Sequence, residues 1–293
     1  MKMNKIVAVV GPTGSGKTAW AKILAQKFGG KVISADSRQI YQGMDIGTGK
    51  DKTFPQDLID IVLPTQTFSV AEYQKKANVL INQYLQDGSL PILVGGTGLY
   101  IDAVLYNYII PNLQKDSLQL RQSLEKLSDK LLVQKLKKID PASAAKIDLK
   151  NRRRVIRALE VATLSKKSFV GLRKKGEPKY KFLILGIKTD RQTLYAKIDA
   201  RIDQMIKDGL VEEVRGLLKK YRPDLPALNT IGYKEIIDYL NGGMFLKEAI
   251  AKIKTNTHAY VRRQETWFRR DENIKWVSSI AEAEKLIRKF LRS

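Results

Sequence analysis

Gly11-Pro12-Thr13-Gly14-Ser15-Gly16-Lys17-Thr18 satisfies every fixed position of the phosphate-binding pattern GxxxxGK[ST]. Its flanks agree: the apolar run Ile6-Val7-Ala8-Val9-Val10 precedes the loop, and a helical pattern over 17–28 follows. A strand feeding a glycine-rich turn and then a helix makes an anion site. Glycines let successive backbone N–H groups converge on phosphate oxygens, and the helix N-terminus adds partial positive charge. Lys17 supplies a full charge, and the Thr18 hydroxyl can ligate Mg²⁺. Which phosphates are held stays open, nucleotides being the commonest ligand of such loops.

Further along, residues 31–35 read as a short strand ending in Asp36-Ser37-Arg38-Gln39. Ligands of open α/β sheets bind beyond the carboxyl ends of the strands, so Asp36 is placed to face the crevice of the P-loop. Residues 40–52, with Gly43, Gly47 and Gly49, read as a loop able to move. Residues 58–63 (Leu-Ile-Asp-Ile-Val-Leu) pattern as a third strand, closed by Pro64. Ser69-Val70-Ala71-Glu72 is a capping box that opens a helix running to about Asp87, where Gly88 stops it. Pro91-Ile92-Leu93-Val94 then runs into Gly95-Gly96-Thr97-Gly98-Leu99-Tyr100, a second strand, glycine turn and helix. Tight helix–strand packing and a ligand role both account for these glycines. The strand-end Asp of a hydrolytic NTPase is not evident, since glycine follows Val94.

From about Pro111 the pattern is helical and basic. Leu120, Leu124, Leu127 and Leu131 form a stripe expected to be core, and Asn151 leads into a helix carrying Arg152, Arg153, Arg154 and Arg157. Such arginines suit phosphate or RNA contact as well as plain solvation. Residues 182–187 return to a strand pattern. Thr189-Asp190 then caps a helix with Leu194, Ile198, Ile202 and Met205 on one stripe, and Arg201 at its margin leans inward, either snorkelling or aimed at a buried diphosphate. Helices over about 233–241, 246–269 and up to 291, with a short strand at 275–277, complete the chain. Arg262, Arg263, Arg269 and Arg270 interleave with Tyr260, Trp267 and Phe268, a mixture that suits nucleic acid although helical aromatics are commonly core.

The expected fold is therefore α/β: a P-loop NTPase-like parallel sheet flanked by helices, with a helical insertion domain. We place the first part of the core at 1–110, the insertion at 111–180 and the second part at 181–293. Fifty-three Lys+Arg against thirty Asp+Glu leave +23, which points to a polyanionic partner, nucleic acid before membrane. No cysteine is present, so disulfides, thiol nucleophiles and cysteine zinc sites are excluded, and the lone His258, read as lying on a helix surface, cannot form a histidine metal cluster. No run approaches the roughly 18 apolar residues of a membrane span. A soluble, cytoplasmic monomer is expected.

Taken together these motifs resemble the tRNA dimethylallyltransferases, also called tRNA isopentenyltransferases. The resemblance spans nearly the whole chain. It rests on GPTGSGKT at 11–18, SADSRQ at 34–39 with Tyr41, MDIGT at 44–48, GGTGLY at 95–100, RALEV at 157–161, Ile231-Gly232-Tyr233, Arg263-Gln264 and Trp267-Phe268. The family often has histidines where this chain has Pro55-Gln56-Asp57.

The resemblance implies transfer of a dimethylallyl group from dimethylallyl diphosphate to the exocyclic amine of the adenosine 3′ of the anticodon in tRNA, giving N6-isopentenyladenosine, with Mg²⁺. It implies that Gly11, Pro12, Thr13, Gly14, Ser15, Gly16, Lys17 and Thr18 cradle the diphosphate, with Thr18 on the metal and Arg201 on the diphosphate. Asp36 would accept the amine proton or its hydrogen bond, Gln39 would read the adenine edge, and Thr97 would lie near the reacting base. Asp36, Ser37, Arg38, Gln39, Thr97, Arg121, Arg153, Arg154, Val155, Ile156 and Arg157 would contact the tRNA anticodon stem-loop, together with the turn at 229–234. From the residues alone, a P-loop small-molecule kinase, a nucleotide-gated RNA-binding module and a prenyltransferase of free adenine nucleotides stay open.

Overall fold

The computed structural model describes residues 4–110, 117–172 and 175–293. Lys5–Val10 (β1), Gly30–Ser34 (β2), Leu90–Gly95 (β3), Lys181–Ile187 (β4) and Ile274–Val277 (β5) form one sheet in the order β2-β3-β1-β4-β5. Every pairing is parallel, with Val7 opposite Ile92 on one side and Leu183 on the other. All six residues of β1 are buried, as a central parallel strand covered on both faces requires. The chain steps one way from β1 to β2 and back to β3. Right-handed crossovers therefore place Lys17–Phe28 (α1) and Val70–Gln86 (α2) on opposite faces. Val7 and Val9 pack with Ala21 and Leu24 of α1 and with Ala283 and Ile287 of Ile280–Arg292 (α12). The Ser69–Glu72 capping box forms as the sequence predicts.

Because every strand runs the same way, the turns after β1, β2, β3 and β4 meet at one sheet edge. Gly98–Leu105 (α3) follows β3, and Arg191–Lys207 (α8), capped by Asp190, follows β4. Leu210–Leu218 (α9), Tyr233–Leu240 (α10) and Leu246–Phe268 (α11) build a second core with α8 around Leu194, Ile198, Val214, Tyr233 and Val261.

One sequence expectation fails here. Residues 58–63 are not a strand: Leu58 and Asp60 have φ of 61° and 53°, which break an extended run, and only Asp57 and Val62 make isolated bridges. The glycine-rich loop is tied down. The Lys50 ammonium, its side chain fully buried, pairs with Asp45 and Asp60, and Lys52 joins the same two carboxylates.

The chain divides into two compact units, one running up to Leu105 and on from Lys179, the other from Tyr106 to Pro178. The second is helical: Ser117–Glu125 (α4), Asp129–Ile139 (α5), Pro141–Lys146 (α6) and Arg152–Ser165 (α7), around Leu124, Leu132, Leu136, Val155, Ile156 and Leu159. The expected leucine stripe is broken by Ser128, which caps α5 and resets the helical phase. Leu131 is therefore 46% exposed, and Leu132 and Leu136 take the core positions.

Candidate active site

The P-loop bends where Gly14 and Gly16 adopt φ of 83° and 82°. A Cβ on Gly14 would lie 2.8 Å from Ile198 Cγ1, so glycine is what lets the loop rest on α8. Lys17 Nζ donates to the Pro12 carbonyl at 3.2 Å, and Lys17 and Thr18 line a small recess of about 60 Å³ shared with Asp36, Gln39 and Arg201. Burial pushes the Lys17 ammonium down to about 8, with nearby Asp36 opposing the shift and Arg201 reinforcing it.

Asp36 stands just past β2. Its carboxylate accepts the Arg38 N–H at 2.8 Å, closing an Asx turn that fixes the side chain at the crevice. Thr97 supports that turn, its Oγ1 accepting the Ser37 N–H at 3.0 Å while its own N–H donates to the Ala35 carbonyl at 3.2 Å. The glycines around Thr97 serve packing. A Cβ would meet the Ala35 carbonyl at 2.1 Å on Gly95, Gln264 at 2.2 Å on Gly96 and Trp267 at 2.2 Å on Gly98. Gln39 is tethered: Ser34 donates to its Oε1 at 3.3 Å, and its Nε2 donates to the Thr48 and Gly49 carbonyls at 3.3 and 3.4 Å.

Arg201 leans inward from α8, its Nη2 donating to the Gly49 carbonyl at 3.3 Å, and burial lowers its pKa against the pull of Asp36. Among the described residues neither Lys17 nor Arg201 forms an ion pair. Above them opens a cavity of about 330 Å³ with Asp36, Arg38, Arg201, Tyr260, Arg263 and Lys234 on its polar side. Ile198, Ile202, Met205, Leu210 and Ile253 make its apolar wall, and Asn229 to Gly232 also border it. Two desolvated cations beside a P-loop, one carboxylate and an apolar wall suit a ligand with an anionic head and an apolar body. The Thr18 hydroxyl and Asp36 line the same recess, an all-oxygen donor set that fits Mg²⁺ shared with phosphates. Among the described residues no group of three His, Cys, Asp or Glu forms a metal cage.

In the second unit, Glu160 is buried and holds Arg121 Nη1 at 3.4 Å and Arg157 Nη1 at 3.1 Å. Arg153 is exposed, but Val155 and Ile156 are 1% and 3% exposed, so their side chains are core and not, as expected, on an RNA-facing surface. Arg152 is structural, paired with Asp129 and donating to the Glu125 and Leu127 carbonyls.

Some roles escaped sequence reasoning. Gln264 bridges two turns, its Oε1 accepting the Thr13 N–H and its Nε2 donating to the Gly96 carbonyl, both at 2.9 Å. Glu213 receives three backbone N–H groups of the 45–47 segment, and nothing in its amphipathic helix pattern signals that. Gln56 lines the small recess, and the neighbouring Asp57 accepts the Tyr84 hydroxyl. The aromatics of α11 divide: Trp267 donates to Asp102 at 3.0 Å and Phe268 is buried, while Tyr260 reaches the cavity. His258 is not a free surface residue but stacks on Tyr195, ring centroids 4.0 Å apart, with Nε2 2.9 Å from Asp199.

Comparison with known proteins agrees with this geometry. Residues 39–271 match the family described as IPP transferase, and residues 4–60 match isopentenyl transferase. A tRNA dimethylallyltransferase of Pelotomaculum thermopropionicum is 42% identical, covering 99% of this chain and 96% of its own. The full-length tRNA isopentenylpyrophosphate transferase of Bacillus halodurans superposes with a TM-score of 0.75 at 39% identity, over 99% of this chain and 97% of that one. A eukaryotic dimethylallyltransferase caught acting on tRNA gives a TM-score of 0.78 at 27% identity, over 90% of this chain and 69% of that one. By sequence and by fold, the chain belongs to the IPP transferase family.

Proposed function

We propose that this protein transfers a dimethylallyl group from dimethylallyl diphosphate to the exocyclic amine of the adenosine 3′ of the anticodon in tRNA, giving N6-isopentenyladenosine. The observation that carries the reading is the pair Lys17 and Arg201, two desolvated cations beside Asp36 that, among the described residues, form no ion pair. Burying such charges is costly unless an anion completes the site. The diphosphate supplies it, and the apolar wall of Ile198, Ile202 and Met205 receives the prenyl chain.

The exocyclic amine is a poor nucleophile, so the site must align it, take its proton and stabilise the leaving group. The amine nitrogen bonds to the first allylic carbon as the carbon–oxygen bond to the diphosphate breaks. The proton goes to the Asp36 carboxylate, which its Asx turn holds ready. The diphosphate departs with the bonding electrons, its charge met by Lys17, Arg201 and the P-loop amides. Mg²⁺, held by Thr18 and the diphosphate, supplies further charge neutralisation when bound.

An adenine stacked in an anticodon loop must be extruded to reach this crevice, at a cost of a few kcal/mol. The net charge of +23, with exposed Arg153 and cavity-lining Arg38, Arg263 and Lys234, supports phosphate contacts that offset that cost. We place the reaction in the cytoplasm, with the protein acting as a monomer. Among the described residues no helix is long and apolar enough to cross a membrane.

The test is transfer of labelled dimethylallyl diphosphate, with Mg²⁺, to unmodified tRNA bearing adenosine 3′ of the anticodon. Wild type labels the tRNA, and Asp36→Ala lowers the rate by at least about 100-fold, as loss of a general base does. No label with any tRNA, and phosphate transfer from ATP instead, would replace this reading with a kinase.

A further inference from the structure

Glu213 on α9 accepts four hydrogen bonds. Its Oε2 takes the N–H groups of Asp45 and Ile46 at 2.9 and 2.7 Å, and its Oε1 takes the Gly47 N–H at 3.1 Å and the Tyr233 hydroxyl at 2.6 Å. Three successive amides converging on a carboxylate form a closed backbone nest. Tyr233 is fully buried and fits against a bare Gly47, where a Cβ would lie 2.5 Å from its ring.

The nest is continuous with the reactive crevice. Gly49 N–H bonds to the Ile46 carbonyl at 2.9 Å, and the Thr48 hydroxyl donates to the Met44 carbonyl at 2.5 Å, so the turn that Glu213 grips extends to Thr48 and Gly49 as one piece. Their carbonyls are the acceptors for Gln39 Nε2 and Arg201 Nη2. Gly49 has φ of 59°, and a Cβ there would lie 1.5 Å from Arg201 Nη2, so the loop fixes the guanidinium by shape as well as by hydrogen bond.

We propose that Glu213 is a positioning residue for prenyl transfer: through the 45–49 turn it holds Arg201 where the leaving diphosphate is bound. This rests on the function proposed above, but its test does not need that reaction. Glu213 itself touches neither cavity. The same turn also borders the cavity through Gly47 and Thr48 and holds Gln39, so the Arg201→Lys background is what separates the route through Arg201 from these.

The experiment titrates inorganic pyrophosphate into the full-length protein by calorimetry and measures transfer kinetics in parallel, for wild type, Glu213→Gln, Arg201→Lys and the double variant. An amide at Glu213 turns donors toward donors and loosens the turn. Glu213→Gln then weakens pyrophosphate about tenfold and raises KM for the prenyl diphosphate alike, with tRNA affinity unchanged. In the Arg201→Lys background the same substitution costs less than about threefold, since the group it positions is gone. An undiminished loss in that background, or unchanged pyrophosphate affinity, overturns the proposal. If Glu213→Gln does not fold, Tyr233→Phe removes one donor and enters the same cycle with the same deciding outcomes. Wild type that binds pyrophosphate but prenylates nothing ends the functional reading and leaves this inference to be decided on affinity. Wild type that binds no pyrophosphate overturns both.

Discussion

Gln264 closes the P-loop from the far side of the fold: its Oε1 accepts the Thr13 N–H at 2.9 Å, although the two residues lie 251 positions apart. The same amide donates to the Gly96 carbonyl and is 5% exposed. Replacing it with leucine leaves a half-buried donor and a buried acceptor without these partners. Gln264→Leu is expected to lower stability by about 1–3 kcal/mol and to slow transfer, checked by denaturant melts and single-turnover kinetics. Gln264→Glu keeps the acceptor for Thr13 but sets a carboxylate against the Gly96 carbonyl, and should be the worse of the two.

The Lys17 ammonium gives the site a pH signature. With its pKa depressed to about 8, it loses its proton as pH rises through that value, and affinity for pyrophosphate should fall above it. Calorimetry at pH 7 and pH 9 would show weaker binding at the higher pH, with proton uptake on binding there because the anion restores the charge. The stability effect has the opposite sense. The folded state binds fewer protons than the unfolded chain between about 8 and the ordinary lysine value, so the free protein gains stability as pH rises through that window. Lys17→Met removes the buried charge and should raise Tm of the free protein by about 2–4 °C at pH 7 while abolishing pyrophosphate binding.

Within α7, neighbouring positions should divide by exposure. Arg153→Ala and Arg154→Ala should weaken tRNA binding and each reduce the slope of log affinity against log salt by about 0.7–0.9, with the melt unchanged. Ile156→Ala, at a site 3% exposed, should leave the salt slope intact and cost about 2–5 kcal/mol of stability in the second unit. A salt slope altered by Ile156→Ala at temperatures where the protein is folded would contradict this division.

The loop over 44–50 depends on Lys50, whose fully buried side chain serves Asp45, Asp60 and the Tyr41 carbonyl. Lys50→Met removes all three bonds and sets two carboxylates near each other with only Lys52 between them. It should destabilise the protein by about 1–3 kcal/mol, with a larger loss below 0.05 M salt, where screening is weakest. Urea melts at two salt concentrations would measure it.

The sheet and the P-loop were legible because they are written in short, contiguous patterns: β1 contains the apolar run from Ile6 to Val10, and Gly14 and Gly16 mark the backbone bends. Asp36 was legible as a strand-end residue, and Arg201 as an inward arginine on the margin of an apolar stripe. What stayed hidden depends on partners distant in the chain. Glu213 looks like any surface glutamate of an amphipathic helix until residues 45–47 fold against it. Residues 58–63 read as a strand because they are almost entirely apolar, yet Asp60 is claimed by Lys50 and takes a left-handed turn. Val155 and Ile156 share a motif segment with exposed Arg153 but face the core, because side chains successive along a helix point to different sides.

The 251 positions between Thr13 and Gln264 also set a clock. At about 5–20 residues per second, a ribosome needs roughly 13–50 s after making the P-loop to deliver the amide that braces it. Throughout that interval the nascent chain carries its phosphate loop without the brace. The brace therefore forms only after four of the five strands of the sheet have been made.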